Sequence, residues 1–108
     1  MIEGFTTGSL VIVNLITPRE KFFGVLLSLS PAGVTVRGIN LDSFEDWIRQ
    51  IAHQEEPNIG LVTMFFPLFR VERIFLDEPA AQIKSYRQRF EEITGIPLTP
   101  YLGLDTGP

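Results

Sequence analysis

The chain has 108 residues, 44% of them hydrophobic, with nine Lys plus Arg, thirteen Asp plus Glu and no Cys. That length and apolar content fit one domain with a packed core and exclude a disordered chain. The absence of thiols excludes disulfides, thiolate nucleophiles and cysteine zinc sites, and a formal charge of −4 sets the chain as a whole against nucleic acid and anionic membrane surfaces.

The opening residues Met1 to Phe5 carry neither the basic start nor the apolar block of a secretory leader. The uncharged run from Gly4 to Pro18 is too short to span a bilayer and is interrupted by Thr6, Thr7, Ser9 and Asn14. A cytoplasmic location without membrane attachment is expected. Within that run, Ser9 to Ile16 is rich in Val and Ile and predicts a first strand. Thr17-Pro18-Arg19-Glu20 predicts a turn, and Lys21 to Ser28 predicts a second strand with Phe23, Val25 and Leu27 on one face. Gly24 lies inside it, where glycine marks a bend or a close backbone approach. Ser30-Pro31-Ala32-Gly33 has the Pro and Gly of a tight turn, and Val34 to Arg37 alternates as a third strand, making a hairpin.

After Asn40 the period changes. Phe44, Trp47, Ile48 and Ile51 follow helical spacing, predicting a helix at about 43–54 with Ser43 as its N-cap and a stop at Pro57, Asn58 and Gly60. Leu61 to Phe66 predicts a fourth strand, Pro67-Leu68 a break, and Arg70 to Leu76 a fifth strand. Asp77, Glu78 and Pro79 suit a helix start. Ile83, Tyr86, Phe90 and Ile93 then form one stripe of a helix at about 78–94, ended by Gly95 and Pro97. The tail from Leu98 is expected to lie on the surface. The predicted order is β-β-β-α-β-β-α in a single domain over residues 1–108.

Little in this sequence carries catalytic chemistry. His53 is the sole histidine, and its neighbours Glu55 and Glu56 fan around a helix end rather than converge on a metal. Asp42 with Asp46, and Glu91 with Glu92, are carboxylate pairs that no spacing rule places across a cleft. No phosphate-cradling glycine loop occurs. Neither an enzymatic activity nor a cofactor is expected. The densest aromatic cluster is Phe65-Phe66-Pro67-Leu68-Phe69, where alternation turns Phe65 and Phe66 to opposite faces. One face is core, and the other must meet a helix, another subunit or a ligand. Arg37, Arg70 and Arg73 form the candidate ligand-binding set, a basic patch if their strands adjoin.

Five short strands in this order, with a glycine inside the second in Lys21-Phe22-Phe23-Gly24-Val25-Leu26, resemble the Sm-like small barrel of the Sm, LSm and Hfq proteins. Leu10 to Ile39 resembles the first motif of that family and Val62 to Leu76 the second, with the helix at 43–54 in the variable loop between them. The resemblance implies a five-stranded, strongly bent SH3-like barrel whose fourth and fifth strands pair with neighbouring subunits, giving a homo-oligomer or ring. It would set Phe65, Phe66, Phe69 and Val71 at the subunit interface. The family's RNA-binding loops depart here: Ser28-Leu29-Ser30-Pro31-Ala32-Gly33 lacks the acid and asparagine-bearing segment, and Pro67-Leu68-Phe69-Arg70 stands where many members have Arg-Gly. The same Ser28 to Gly33 stretch resembles the Asp/Asn-x-Ser-x-x-Gly signature of PilZ domains, without their preceding Arg-x-x-x-Arg. A non-catalytic, self-associating interaction module is therefore the first expectation, with RNA or nucleotide binding through Arg37, Arg70 and Arg73 as the alternative.

Overall fold

In a computed structural model the fold is described for residues 3–56 and 58–103. Five antiparallel strands, β1 (Leu10–Leu15), β2 (Glu20–Ser30), β3 (Gly33–Asn40), β4 (Val62–Pro67) and β5 (Val71–Leu76), form one open sheet in the order β4-β3-β2-β1-β5. Helix α1 (Leu41–Ala52) follows β3 and α2 (Tyr86–Thr94) follows β5. Single 3₁₀ turns at Leu68–Arg70 and Thr99–Leu102 add two elements that the sequence reading does not contain. The architecture is thus mainly β with two helices. Pro57, read above as part of a helix stop, and the tail beyond Gly103 lie outside the described residues.

Strand alternation divides the core in two. Val11, Val13 and Leu15 of β1 meet Leu26, Val34 and Val36 on one face, with Met64 and Phe66 from β4 and Val71, Ile74 and Leu76 from β5 packed around them. Both helices lie on the opposite face, yet Val11, Val13, Leu15 and Val34 are fully buried. The sheet itself must therefore cover most of this inner face by curling, with Phe5 from the segment before β1 packed against the same cluster. Contact between Phe22 and Phe66, with ring centroids 4.9 Å apart from strands that are not neighbours, shows the same curl.

Two glycines permit it. Gly24 lies directly opposite Gly38. A Cβ at Gly24 would run into the carbonyl oxygen of Arg37, and one at Gly38 into that of Phe23. The strands approach there more closely than any side chain allows. A register shift between Leu26 and Ser28 adds a bulge just beyond, which sharpens the local bend. Pro31-Ala32 closes the β2–β3 hairpin between Ser30 and Gly33.

On the outer face, Phe23, Val25 and Ile39 of the sheet pack against Phe44, Trp47 and Ile48 of α1 and Phe90 of α2. Aromatic rings run through this layer, Phe44 on Tyr86 at 5.2 Å and Trp47 on Phe90 at 5.1 Å. Arg89 of α2 grips Glu45 of α1 through two 2.6 Å bonds. The tail is not a surface strap within the described residues, because Leu98 and Leu102 are buried in this layer.

Helix boundaries differ from expectation for identifiable reasons. α1 begins two residues earlier than predicted because Asn40, not Ser43, caps it, its Oδ1 accepting from the Asp42 N–H at 2.8 Å. α2 begins at Tyr86 and not near Glu78. Ser85 and Gln88 form a capping box there, and Asp77 accepts from the N–H groups of Tyr86 and Arg87. Asp77 is a cap, as its type suggests, but for a helix nine residues farther on. The intervening residues turn tightly, with an isolated bridge between Ala80 and Ile83 and Ala81 at φ 55°. No helix among the described residues is long and apolar enough to cross a membrane.

Candidate functional site

β4 and β5 are the outermost strands, so each leaves one edge without a partner strand among the described residues. Along β4 and the turn after it, Val62 is 55% exposed, Phe65 53% and Phe69 81%. Such a run on an unpaired edge is what soluble proteins usually blunt with charge or proline. Of the four residues expected at a subunit boundary, Phe65 and Phe69 face outward, whereas Phe66 and Val71 turn into the inner cluster. Phe66 is occupied by Phe22, which accounts for one of the three rings of the aromatic cluster within the fold.

The three arginines do not converge. Arg70 spans the turn between β4 and β5 and the turn between β1 and β2, donating to the Thr17 carbonyl at 3.1 Å and to Glu20 at 2.7 Å. It is a half-buried clamp rather than a free cation. Arg37 projects from β3 toward Thr63, 3.4 Å away, and the backbone at Gly103 lies against its side chain. Arg73 lies on β5, three strand spacings from β3, or about 14 Å measured along the sheet. Sequence adjacency of Arg70 and Arg73 is broken by the strand start and by a register shift in β5 opposite Asn14 and Leu15.

His53 caps the end of α1, exposed, with Nδ1 3.8 Å from Glu55. Among the described residues no group of three or more His, Asp or Glu could hold a metal. Three of the four carboxylates in the candidate pairs are engaged elsewhere. Asp46 accepts from Arg49, Glu92 pairs with Lys84, and Glu91 accepts from the Leu98 N–H and from Arg87. The Leu98 bond and Arg87 hold the Glu91 carboxyl below the usual glutamate range, and Arg89 does the same for Glu45.

Two buried polar atoms lack a hydrogen-bond partner among the described residues, Arg37 Nε, which lies against Gly103, and Asn14 Oδ1. Asn14 interrupts the apolar strand Leu-Val-Ile-Val-Asn-Leu on the outer face, where it is only 9% exposed and its Oδ1 has no hydrogen-bond partner among the described residues. Leaving such an acceptor unsatisfied costs about 1–3 kcal/mol. The register places Lys21 of β2 directly opposite it on one side and Arg73 of β5 on the other. Sequence shows the anomaly, a lone amide in a β-branched run, but the cations beside it are 7 and 59 positions away and only strand pairing joins them. Comparison with protein-family models, with curated proteins and with solved structures finds no match, so the reading of these surfaces rests on their own geometry.

Proposed function

We propose that the chain is a non-catalytic interaction module, a Sm-like or SH3-like barrel that self-associates through its outer strands. The observation that carries this reading is the coincidence, on β4 and the turn after it, of an unpaired strand edge with exposed Val62, Phe65 and Phe69. Backbone groups on an edge supply affinity in strand addition, and large side chains beside it supply the apolar area. Aromatic residues of this kind each contribute about 2 kcal/mol or more when they anchor an interface. The curled sheet and its Gly24–Gly38 crossing support the small-barrel form that the Sm-like resemblance implies.

Light scattering at micromolar concentration tests it. The expected mass is a multiple of 12.2 kDa, and Phe65→Asp with Phe69→Asp should reduce it to one chain while leaving the circular dichroism spectrum unchanged. A monomeric mass for the unaltered chain at that concentration overturns the reading.

A further inference from the structure

We infer that the cross-strand row Lys21, Asn14 and Arg73, with the groove beside it, binds a small organic anion: its phosphate or carboxylate between the two cations, its flat apolar body along Phe75 and Ile83. The three residues are directly opposed on adjacent strands, so their side chains leave one face about 5 Å apart. The row has a cation at each end and a buried, unpartnered amide in the middle, and the one carboxylate paired with it, Glu72, lies a loose 3.7 Å from Arg73. Lys21 and Arg19 enter no ion pair among the described residues.

The row opens in two directions. Toward the β1–β2 turn it lines a recess of about 220 Å³ that Arg19 also borders. Toward α2, Asn14 and Lys21 form one end of a groove of about 480 Å³ whose walls include Ile12, Phe75, Ile83 and Tyr86. That volume is in the range of small-molecule sites. Phe75 is 44% exposed and Ile83 74%, so the apolar end is available. The Arg73 guanidinium already lies over the Phe75 ring, 5.9 Å from its centroid, which orients the cation at the junction of the charged and apolar parts.

Acidic neighbours define the ligand further. Glu20 is held by Arg70, Glu72 lies 3.7 Å from Arg73, and Asp77 accepts two backbone N–H groups, which leaves Glu78 as the uncommitted carboxylate on the groove. This rim, on a chain of charge −4, opposes an extended polyanion and suits one compact anionic group. The Asn14 carbonyl oxygen adds an acceptor, so a ligand with an N–H or O–H donor next to its anionic group satisfies the whole row.

Titration of the ¹⁵N-labelled chain at low salt with inorganic phosphate, phenyl phosphate and benzoate tests this. Phenyl phosphate or benzoate is expected to shift the Asn14 side-chain amide and the Phe75 backbone amide, and whichever binds more tightly identifies the source of the anion. Inorganic phosphate should bind at least about tenfold more weakly than phenyl phosphate if the apolar groove contributes. Lys21→Gln and Arg73→Gln should each weaken binding about tenfold, while Arg37→Gln leaves it unchanged. Asn14→Val should raise Tm by roughly 4–8 °C by removing the unsatisfied acceptor. The inference is overturned if no probe shifts these signals at millimolar concentration, if the Lys21 and Arg73 variants bind as well as the unaltered chain, or if Asn14→Val lowers Tm.

Discussion

The two faces of the sheet are built from the same kind of strand residue but are closed by different means. The inner face is sealed by the sheet's own curvature and by Phe5 from the segment before β1, with neither α1 nor α2 taking part. The outer face is sealed where α1 and α2 lie, over Phe23, Val25 and Ile39, and it opens past the still buried Ile12 and Asn14 of β1 onto β5, where Arg73 and Phe75 stand. A strand face left uncovered inside a small domain need not be a packing defect. Here the uncovered part is also where the residues stop being uniformly apolar, so the division between core and surface runs between β1 and β5.

Substitutions on the two faces put that contrast to the test. The largest effect is expected at Trp47, whose ring is enclosed between Phe44, Phe90 and Tyr101. Trp47→Ala should cost about 3–5 kcal/mol in urea unfolding, against about 1 kcal/mol or less for Phe75→Ala on the open part of the same face. Comparable losses at both positions would erase the distinction between covered and uncovered sheet. On the inner side, Gly24→Ala drives a methyl group into the backbone of β3 and should cost about 1–3 kcal/mol by the same measurement. A neutral result there would mean that the curl does not depend on the Gly24–Gly38 approach. Ser85→Ala removes the cap of α2, and a loss of about 1 kcal/mol is expected.

The smallest effect is electrostatic. Glu45 and Glu91 both have carboxyls held below the usual glutamate range, so the unfolded chain takes up their protons first as the solution is acidified. Their stabilisation is complete above the ordinary glutamate value and is lost as pH falls through their lowered values. Asp77 runs the other way. Burial raises its carboxyl more than the two N–H bonds lower it, so its contribution weakens as pH rises from the ordinary aspartate value through the raised one. The Glu45–Arg89 pair is half exposed and solvent screening keeps it under about 1 kcal/mol. Melting curves from about pH 7 down to about pH 3, across the carboxylate range, should show a shallower acid loss for Glu45→Gln than for the unaltered chain.

What sequence conveys and what it withholds follow from the range of each interaction. Phe44, Trp47 and Ile48 reveal their helix because the period that buries them spans only a few residues, and Gly95 marks the end of α2 for an equally local reason, its φ of 74°. The start of α2 is hidden from a local reading because Asp77, Glu78 and Pro79 look like a first turn, while the deciding Ser85–Gln88 box lies farther on. The division of Phe65 from Phe66 follows from alternation, yet which of them faces inward depends on Phe22 across the curled sheet. Arg37, Arg70 and Arg73 make a patch only if their strands adjoin, and the strand order sets β3 and β5 apart. For the same reason the neighbours of Asn14 become visible only once β2 and β5 are set on either side of β1.

The free edges of β4 and β5 have a consequence for how copies of the chain would add to one another. If β4 of one copy takes β5 of the next, every finite open chain still ends in one unsatisfied strand of each kind, and growth stops only by closure. A pairing of β4 with β4 would instead saturate at two copies and leave both β5 edges unused. The size distribution of the particle therefore reports the geometry of a single contact: one discrete mass for a closed turn, a concentration-dependent ladder for a contact whose rotation fails to close.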